Sequence, residues 1–188
     1  MLISVEKRSI FVHVPKTGGN SIVGALRSVW SDASDGSRWA TSSPIIRVHM
    51  SARELNGVIP DWASYYSFAF VRNPWDRMVS LWSFMTKQEI SFDNWMKTVP
   101  GDSILLSMPQ TYFLMGIDGR PLVSSIGRFE NLRSDFHNIS AQWGSPVITH
   151  ENKSHHKPYR DYYSPALAQL VADRYWADIQ AFGYRFEE

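Results

Sequence analysis

Ile10-Phe-Val-His-Val-Pro-Lys-Thr-Gly-Gly-Asn-Ser-Ile22 is the stretch of sequence that decides the fold. An apolar run reaches Pro15, a short segment with two glycines follows, and apolar residues then recur at helical spacing up to Trp30. This order predicts a buried strand, a tight loop and a helix that begins at Gly19 or Asn20. The backbone N–H groups of such a loop and the positive end of the helix point at one place, which suits an anion and most often a phosphate.

The side chains of this loop add to the attraction for an anion. Lys16 supplies a full positive charge, and the hydroxyl groups of Thr17 and Ser21 can act as donors. We therefore predict that the loop holds the 5′ end of a nucleotide-like donor and that the protein moves a group from it.

Composition limits the class of protein. The 188 residues, 44% hydrophobic and 20% charged, predict one globular domain over 1–188. A net charge of +1 argues against a nucleic-acid-binding surface. The absence of cysteine excludes disulfides, thiolate nucleophiles and cysteine-bound zinc. No apolar segment has signal-peptide length or approaches the roughly 20 residues that cross a bilayer, so we expect a cytoplasmic protein without a membrane span.

A second strand, loop and helix are predicted further along the chain. Tyr65–Val71 has the apolar character of a strand and is followed by Arg72. Asn73 is a suitable N-cap and Pro74 suits the first helical position. The helix that they begin carries Ser80 about two turns along. Arg72 thus places a second positive charge at a strand end. A donor that carries phosphates at both of its ends would need two such charges.

Three further strands complete the predicted sheet. They are expected at Ile45–Val48, at Val123–Phe129 and, as an edge strand, at Pro146–Thr149. His49 follows the first of these and precedes Ser51-Ala-Arg-Glu54, a capping box that predicts the start of a helix. His49 therefore lies between a strand and a helix, where the sites of α/β proteins tend to be.

The C-terminal part combines a basic segment with a helix. Glu151-Asn-Lys-Ser-His-His-Lys-Pro-Tyr-Arg160 is either a solvated loop or a lid over a bound anion. Ser164 and Pro165 then predict one last helix, which Gly183 ends.

Two features argue against metal-assisted phosphoryl transfer. A typical nucleoside triphosphatase carries Gly-x4-Gly-Lys-Ser/Thr and an acidic magnesium ligand after a strand. Here Lys16 precedes the glycines, and the predicted strand at Tyr65–Val71 ends in Arg72 instead of an acid.

Three motifs resemble those of sulfotransferases. Val14–Ile22 resembles their 5′-phosphosulfate loop, and Phe70–Trp82 resembles their 3′-phosphate motif. Asn152–Tyr159, with the helix over Tyr163–Tyr184, resembles the C-terminal part of the carbohydrate O-sulfotransferase (sulfotransferase family 2-like) branch. The resemblance extends from about Ile10 to Phe186, and the two nucleotide motifs together are specific.

The resemblance implies an α/β, three-layer P-loop-like fold with a central, mainly parallel sheet flanked by helices. It also implies the donor 3′-phosphoadenosine 5′-phosphosulfate (PAPS), its product 3′-phosphoadenosine 5′-phosphate (PAP), and no metal. Lys16 would act on the leaving oxygen, Arg72 and Ser80 would hold the 3′-phosphate, and the basic segment would cover the donor. The donor-binding residues that it implies are Pro15, Lys16, Thr17, Gly18, Gly19, Asn20, Ser21, Arg72, Ser80, Lys153, Ser154 and Lys157.

The acceptor is expected to be a hydroxyl, most readily that of a carbohydrate. His49 is the preferred base, because a histidine titrates near neutral pH, and His155, His156 and Glu54 are the alternatives. Two other functions stay open at this point: a small-molecule kinase with an atypical phosphate loop, and a nucleotide-binding module without catalysis. The sequence gives no indication of the oligomeric state.

Overall fold

A computed structural model describes residues 1–36, 48–98, 105–148 and 156–187. They form an α/β protein with a four-stranded, mainly parallel sheet flanked by helices, which confirms the predicted fold class. The strands are β1 Leu2–Ser4, β2 Ser9–Val12, β3 Tyr66–Val71 and β4 Ser125–Arg128. The α-helices are α1 Gly19–Arg27, α2 Ala52–Val58, α3 Pro74–Thr86, α4 Phe92–Thr98, α5 Gln110–Leu114, α6 Leu132–Ser140, α7 Pro165–Arg174 and α8 Trp176–Phe182. Short 3-10 helices lie at Trp62–Ser64, Leu105–Ser107, Phe129–Asn131, Ala141–Trp143 and Tyr159–Tyr162.

The chain divides into two compact units. The first comprises Met1–Val71 and Tyr112–Asn152, and the second comprises Arg72–Thr111 and Lys153–Glu188. The first unit contains the whole sheet, in the order β1-β2-β3-β4. β2, β3 and β4 are parallel, whereas β1 pairs antiparallel with β2.

The core of the first unit lies between the sheet and two helices. The rings of Phe11, Phe68 and Phe70 pack with Ile22 and Leu26 of α1. Phe136 of α6 joins the same buried cluster. On the other face of the sheet, the buried side chains of β2 and β3 are those of Ile10, Val12, Ala69 and Val71. Because both faces of these strands are buried, their sequences are almost continuously apolar.

In the second unit, α3 packs against α7 and the 3-10 helix Tyr159–Tyr162. Trp75 on α3 donates its Nε1–H to the carbonyl of Ala168 on α7 at 2.9 Å. The hydroxyl of Tyr163 donates to the carbonyl of Trp75, also at 2.9 Å. Two aromatic side chains, each donating to a backbone carbonyl, thus fix the start of α3 to the C-terminal segment.

The edge of the sheet differs from the prediction. The expected strand at Pro146–Thr149 is wrong for its described part, since residues 146–148 have no strand structure. Gly144 and Ser145 have positive φ before them, which turns the backbone away from an extended path. The edges of the described sheet are β1 and β4, and β1 was not predicted because its three residues are too few to give a pattern in the sequence.

Two further predictions have different outcomes. Residues 45–47 of the strand expected at Ile45–Val48 lie outside the described part, and Val48 is helical. The single helix expected after Pro165 is interrupted at Tyr175, which has φ −109° and ψ 27°. Tyr175 is fully buried and its hydroxyl donates to the carbonyl of Ser107 at 2.8 Å. Tertiary packing of this one side chain divides the helix into α7 and α8.

Candidate functional site

The first loop connects β2 to α1 through an unusual backbone. Lys16 has φ +66° and Gly18 has φ +81°, so two of its residues adopt the left-handed conformation. For lysine this conformation is uncommon and is found mainly where the surrounding structure imposes it. Left-handed residues among right-handed ones aim successive N–H groups into one concavity, which is a known form of anion site.

The start of α1 is suited to an anion. Gly18 is the N-cap and provides no side-chain cap, and no acidic residue lies in the first turn. The N–H groups of Ser21 and Ile22 donate to the carbonyl of Gly18. The first amides of an α-helix have no partner within the helix, so those of Gly19 and Asn20 are oriented for an external acceptor.

The hydroxyl of Thr17 makes a hydrogen bond within the loop. Thr17 is fully buried, and its Oγ1 donates to the carbonyl of Val14 at 2.9 Å. Its proton therefore closes the loop upon itself. The hydroxyl of Thr17 thus stabilises the loop conformation. Ser21, whose hydroxyl was the other expected donor, is also buried.

His13 packs directly on the first helical residue. A Cβ atom placed on Gly19 would lie 1.9 Å from Nε2 of His13, far closer than two such atoms can approach. A side chain at position 19 would therefore force the imidazole of His13 to move. The contact of this imidazole with Gly19 packs the end of β2 against the start of α1.

His49 lies beside His13 in the same unit. Nδ1 of His49 is 2.8 Å from the carbonyl oxygen of His13, and the two rings are 4.6 Å apart. A carbonyl oxygen only accepts, so Nδ1 carries the proton and Nε2 carries the lone pair. This is the tautomer that a general base at Nε2 requires.

Burial keeps both histidines neutral. It lowers the pKa of His49 from 6.5 to about 4, although the hydrogen bond to the carbonyl of His13 raises it in part. Burial also lowers the pKa of His13 well below its usual value, and the positive charge of Lys16 acts in the same direction. At neutral pH Nε2 of His49 is therefore unprotonated, but the lowered pKa makes His49 a weaker base than the histidine titrating near neutral pH that the sequence led us to expect.

Arg72, the residue after the second predicted strand, is the first residue of the other unit. Arg72 follows β3 and is 6% exposed. Its Nε–H donates to Oδ2 of Asp76 on α3 at 2.8 Å. Asn73 caps α3, as predicted, by accepting from the N–H groups of Trp75 and Asp76. Ser80 lies on the same helix and is 2% exposed.

Sequence reasoning missed two residues that contact Arg72. Asp76 could have been found, because residues four apart on a helix are neighbours and Arg72 immediately precedes α3. Gln110 could not, since 38 residues separate it from Arg72. Its side-chain amide hydrogen bonds to both backbone groups of Arg72.

The basic segment is described only from residue 156 onward. Lys153, Ser154 and His155 lie outside the described residues. Lys157 is exposed, and its N–H donates to the hydroxyl of Tyr162 at 3.1 Å. Nδ1 of His156 lies 2.7 Å from the carbonyl oxygen of Lys157.

The described chain also gives a simple result on membrane insertion: none of its helices has both the length and the apolar character needed to cross a bilayer.

One of three comparisons with known proteins found a match. A family model described as "Sulfotransferase family" matches residues 1–185. No curated protein and no solved structure matches the chain. The family match covers both units and both strand–loop–helix segments. The chain belongs to the sulfotransferase family, and the reaction that this family implies is transfer of a sulfuryl group to a hydroxyl-bearing acceptor.

Proposed function

We propose that this sulfotransferase uses PAPS as its donor and transfers the sulfuryl group to a carbohydrate hydroxyl. The observation that carries the proposal is the loop before α1, where Lys16 is held in a left-handed conformation beside a helix start without a side-chain cap. The match of one family model to residues 1–185 supports treating 1–188 as a single functional domain.

Lys16 is assigned to the leaving group. When the acceptor oxygen bonds to sulfur, the bond between sulfur and the bridging oxygen of the 5′-phosphate breaks. Negative charge then develops on that bridging oxygen, and a lysine ammonium stabilises it without a metal. The backbone of Pro15–Ser21 is assigned to the 5′-phosphosulfate, with the amides of Gly19 and Asn20 as donors at the helix start.

Arg72 and Ser80 are assigned to the 3′-phosphate, which distinguishes PAPS from ATP. An arginine suits this role because its planar fork can bind two phosphate oxygens. Lys153, Ser154 and Lys157 are assigned to covering the donor. This assignment rests on the sequence resemblance.

His49 is assigned as the base. Its Nδ1–H is held by the carbonyl of His13, so Nε2 takes the acceptor proton as the new oxygen–sulfur bond forms. The same hydrogen bond stabilises the imidazolium that results. A neutral imidazole at pH 7 follows from the lowered pKa.

The test is the binding of nucleotides. PAP should raise the melting temperature of the protein, because any ligand of the native state does so. AMP, which lacks the 3′-phosphate, and ATP should raise it far less. Absence of a shift with millimolar PAP would overturn the proposed donor, and magnesium-dependent turnover of ATP would favour the kinase alternative.

The assignment of the base has its own test. His49→Gln should lower kcat about a hundredfold or more with little change in the affinity for PAP. His137→Gln, a change of an exposed histidine on α6, is the matched control. Turnover near that of the wild type in His49→Gln would move the role of base to another residue.

A further inference from the structure

The backbone of Arg72 is held by a single side chain. The N–H of Arg72 donates to Oε1 of Gln110 at 2.8 Å, and Nε2 of Gln110 donates to the carbonyl oxygen of Arg72 at 2.8 Å. Gln110 is fully buried. The two bonds fix the peptide groups on both sides of the Arg72 Cα, and so they fix the direction in which its side chain leaves the backbone.

Gln110 is itself held in place by a buried carboxylate. Asp178 on α8 accepts from the N–H of Gln110 at 2.8 Å. It also accepts from the N–H of Thr111 at 2.8 Å and from its hydroxyl at 3.0 Å. Asp178 is fully buried, and these bonds to the first residues of α5 satisfy it as a helix cap. A buried polar chain therefore connects α8 to the backbone of Arg72.

The side chain of Arg72 is oriented by a separate contact. Asp76 binds its Nε–H, as described above, while Gln110 holds only the backbone. A strand end needs hydrogen-bond partners, but any backbone segment can supply them. Here the side-chain amide of Gln110, which can donate and accept at once, binds both backbone groups of Arg72. Arg72 is the residue whose guanidinium the proposed function assigns to the 3′-phosphate, and such a role needs accurate placement.

We propose that Gln110 is a positioning residue for recognition of the donor 3′-phosphate, acting through the backbone of Arg72, and that Asp178 holds Gln110 in place. This inference rests on the proposed function, which assigns Arg72 to that phosphate. Gln110 does not touch the nucleotide in this proposal. Its contribution is selective for ligands that carry a 3′-phosphate.

The experiment compares two nucleotides by isothermal titration calorimetry. The dissociation constants of PAP and AMP are measured for the wild type, Gln110→Met, Arg72→Ala and the double variant. Gln110→Met keeps the size of the side chain but removes both hydrogen bonds. It should weaken binding of PAP about tenfold, the effect of one displaced charged hydrogen bond, and leave binding of AMP within twofold.

The double variant shows whether the two residues act together. If Gln110 acts through Arg72, the double variant should bind PAP no more weakly than Arg72→Ala alone. Gln110→Glu, which can accept from the N–H but cannot donate to the carbonyl, should show an intermediate loss of PAP affinity and serves if Gln110→Met does not fold. Gln169→Met changes an exposed glutamine on α7 and is the control, with no expected effect on either nucleotide.

Two results would overturn the positioning role: an equal loss of PAP and AMP affinity in Gln110→Met, or additive losses in the double variant. The proposed function fails in a different way. If the wild type does not prefer PAP to AMP, the proposed donor and the inference about Gln110 are both wrong. If Arg72→Ala leaves that preference intact, Arg72 does not bind the 3′-phosphate, and its assignment and the inference about Gln110 fail while the proposed donor stands. A preference that Arg72→Ala removes but Gln110→Met retains overturns only the inference about Gln110.

Discussion

The two strand–loop–helix segments look alike in sequence but are stabilised in different ways. At the first, left-handed backbone at Lys16 and Gly18 and the packing of His13 on Gly19 set the shape of the loop. At the second, Arg72 is held by side-chain hydrogen bonds from Asp76 and Gln110. One region is shaped by backbone conformation and close packing, the other by a buried polar network.

This difference determines which substitutions each region tolerates. A loop shaped by packing is sensitive to added volume, because interiors have no space for another carbon atom. A polar network is sensitive to loss of a partner, because a buried charge or amide left without one is costly. The following predictions test this distinction, from the largest expected effect to the smallest.

Lys16→Ala should reduce kcat by about a hundredfold to a thousandfold, because it removes the charge assigned to the leaving oxygen. Steady-state kinetics with PAPS and a panel of carbohydrate acceptors measures it. Lys7→Ala, which removes an exposed lysine of the same unit, is the control and should keep the activity of the wild type. Comparable activity in the two variants would contradict the role of Lys16.

Gly19→Ala should destabilise the protein by about 2–3 kcal/mol, since its methyl group collides with the ring of His13. Urea unfolding measures the free energy. Gly57→Ala is the matched control: a Cβ at Gly57 in α2 meets no atom within 4 Å. This control should be neutral or stabilising by up to about 1 kcal/mol. Similar values for both variants would show that close packing does not shape the first loop.

Asp76→Asn should destabilise the protein by about 1–2 kcal/mol, because it leaves the buried guanidinium of Arg72 without its carboxylate. Asp93→Asn removes the exposed pair that Asp93 makes with Lys97, which has the same i,i+4 spacing. That variant should lose at most about 0.5 kcal/mol. Chemical denaturation of the two variants compares a buried ion pair with an exposed one. Equal losses in the free energy of unfolding would show that the buried pair contributes no more to stability than the exposed pair.

The smallest predicted effect depends on pH. The pKa of His49 is lowered from 6.5 to about 4 in the folded protein, so the unfolded chain takes up the proton first as the pH falls. The contribution of His49 to the free energy of unfolding should be constant above about pH 6.5. It should decrease as the pH falls from there towards 4.

Unfolding at pH 7.5 and pH 5 measures this decrease. His49→Gln should reduce it by about 1 kcal/mol, and the remainder should include the contribution of His13, whose pKa is also lowered. His137→Gln should leave the decrease unchanged. An identical pH dependence in His49→Gln and the wild type would show that His49 is not held in its neutral form by burial.

Local signals in the sequence were sufficient for most of the fold. The apolar run of β2, the cap at Asn73 and Pro74, and the capping box at Ser51 each specify an element through neighbouring residues, and each is confirmed. β1 could not be predicted because three residues give no periodicity, and its pairing with β2 depends on a turn between them. The interruption at Tyr175 follows from burial of one side chain, which a helical pattern does not show.

The site shows the same limit. Lys16 and the glycines were evident because the loop motif is contiguous, whereas Thr17 was expected to donate outward and donates to Val14 instead. The rotamer of a hydroxyl depends on the loop geometry, which the sequence does not specify. Gln110 lies far from Arg72 in the chain, and no spacing rule connects a glutamine to a strand end.

The hydrogen bond between His49 and His13 has a consequence for protein engineering. The carbonyl that orients His49 belongs to the residue that leads directly into the loop of Lys16. Transplanting the loop into another scaffold from Pro15 onward would leave this carbonyl behind, and exchanging the segment around position 49 would remove its donor. Under the proposed role of His49, a functional graft therefore has to begin at or before His13 and has to keep histidine at position 49.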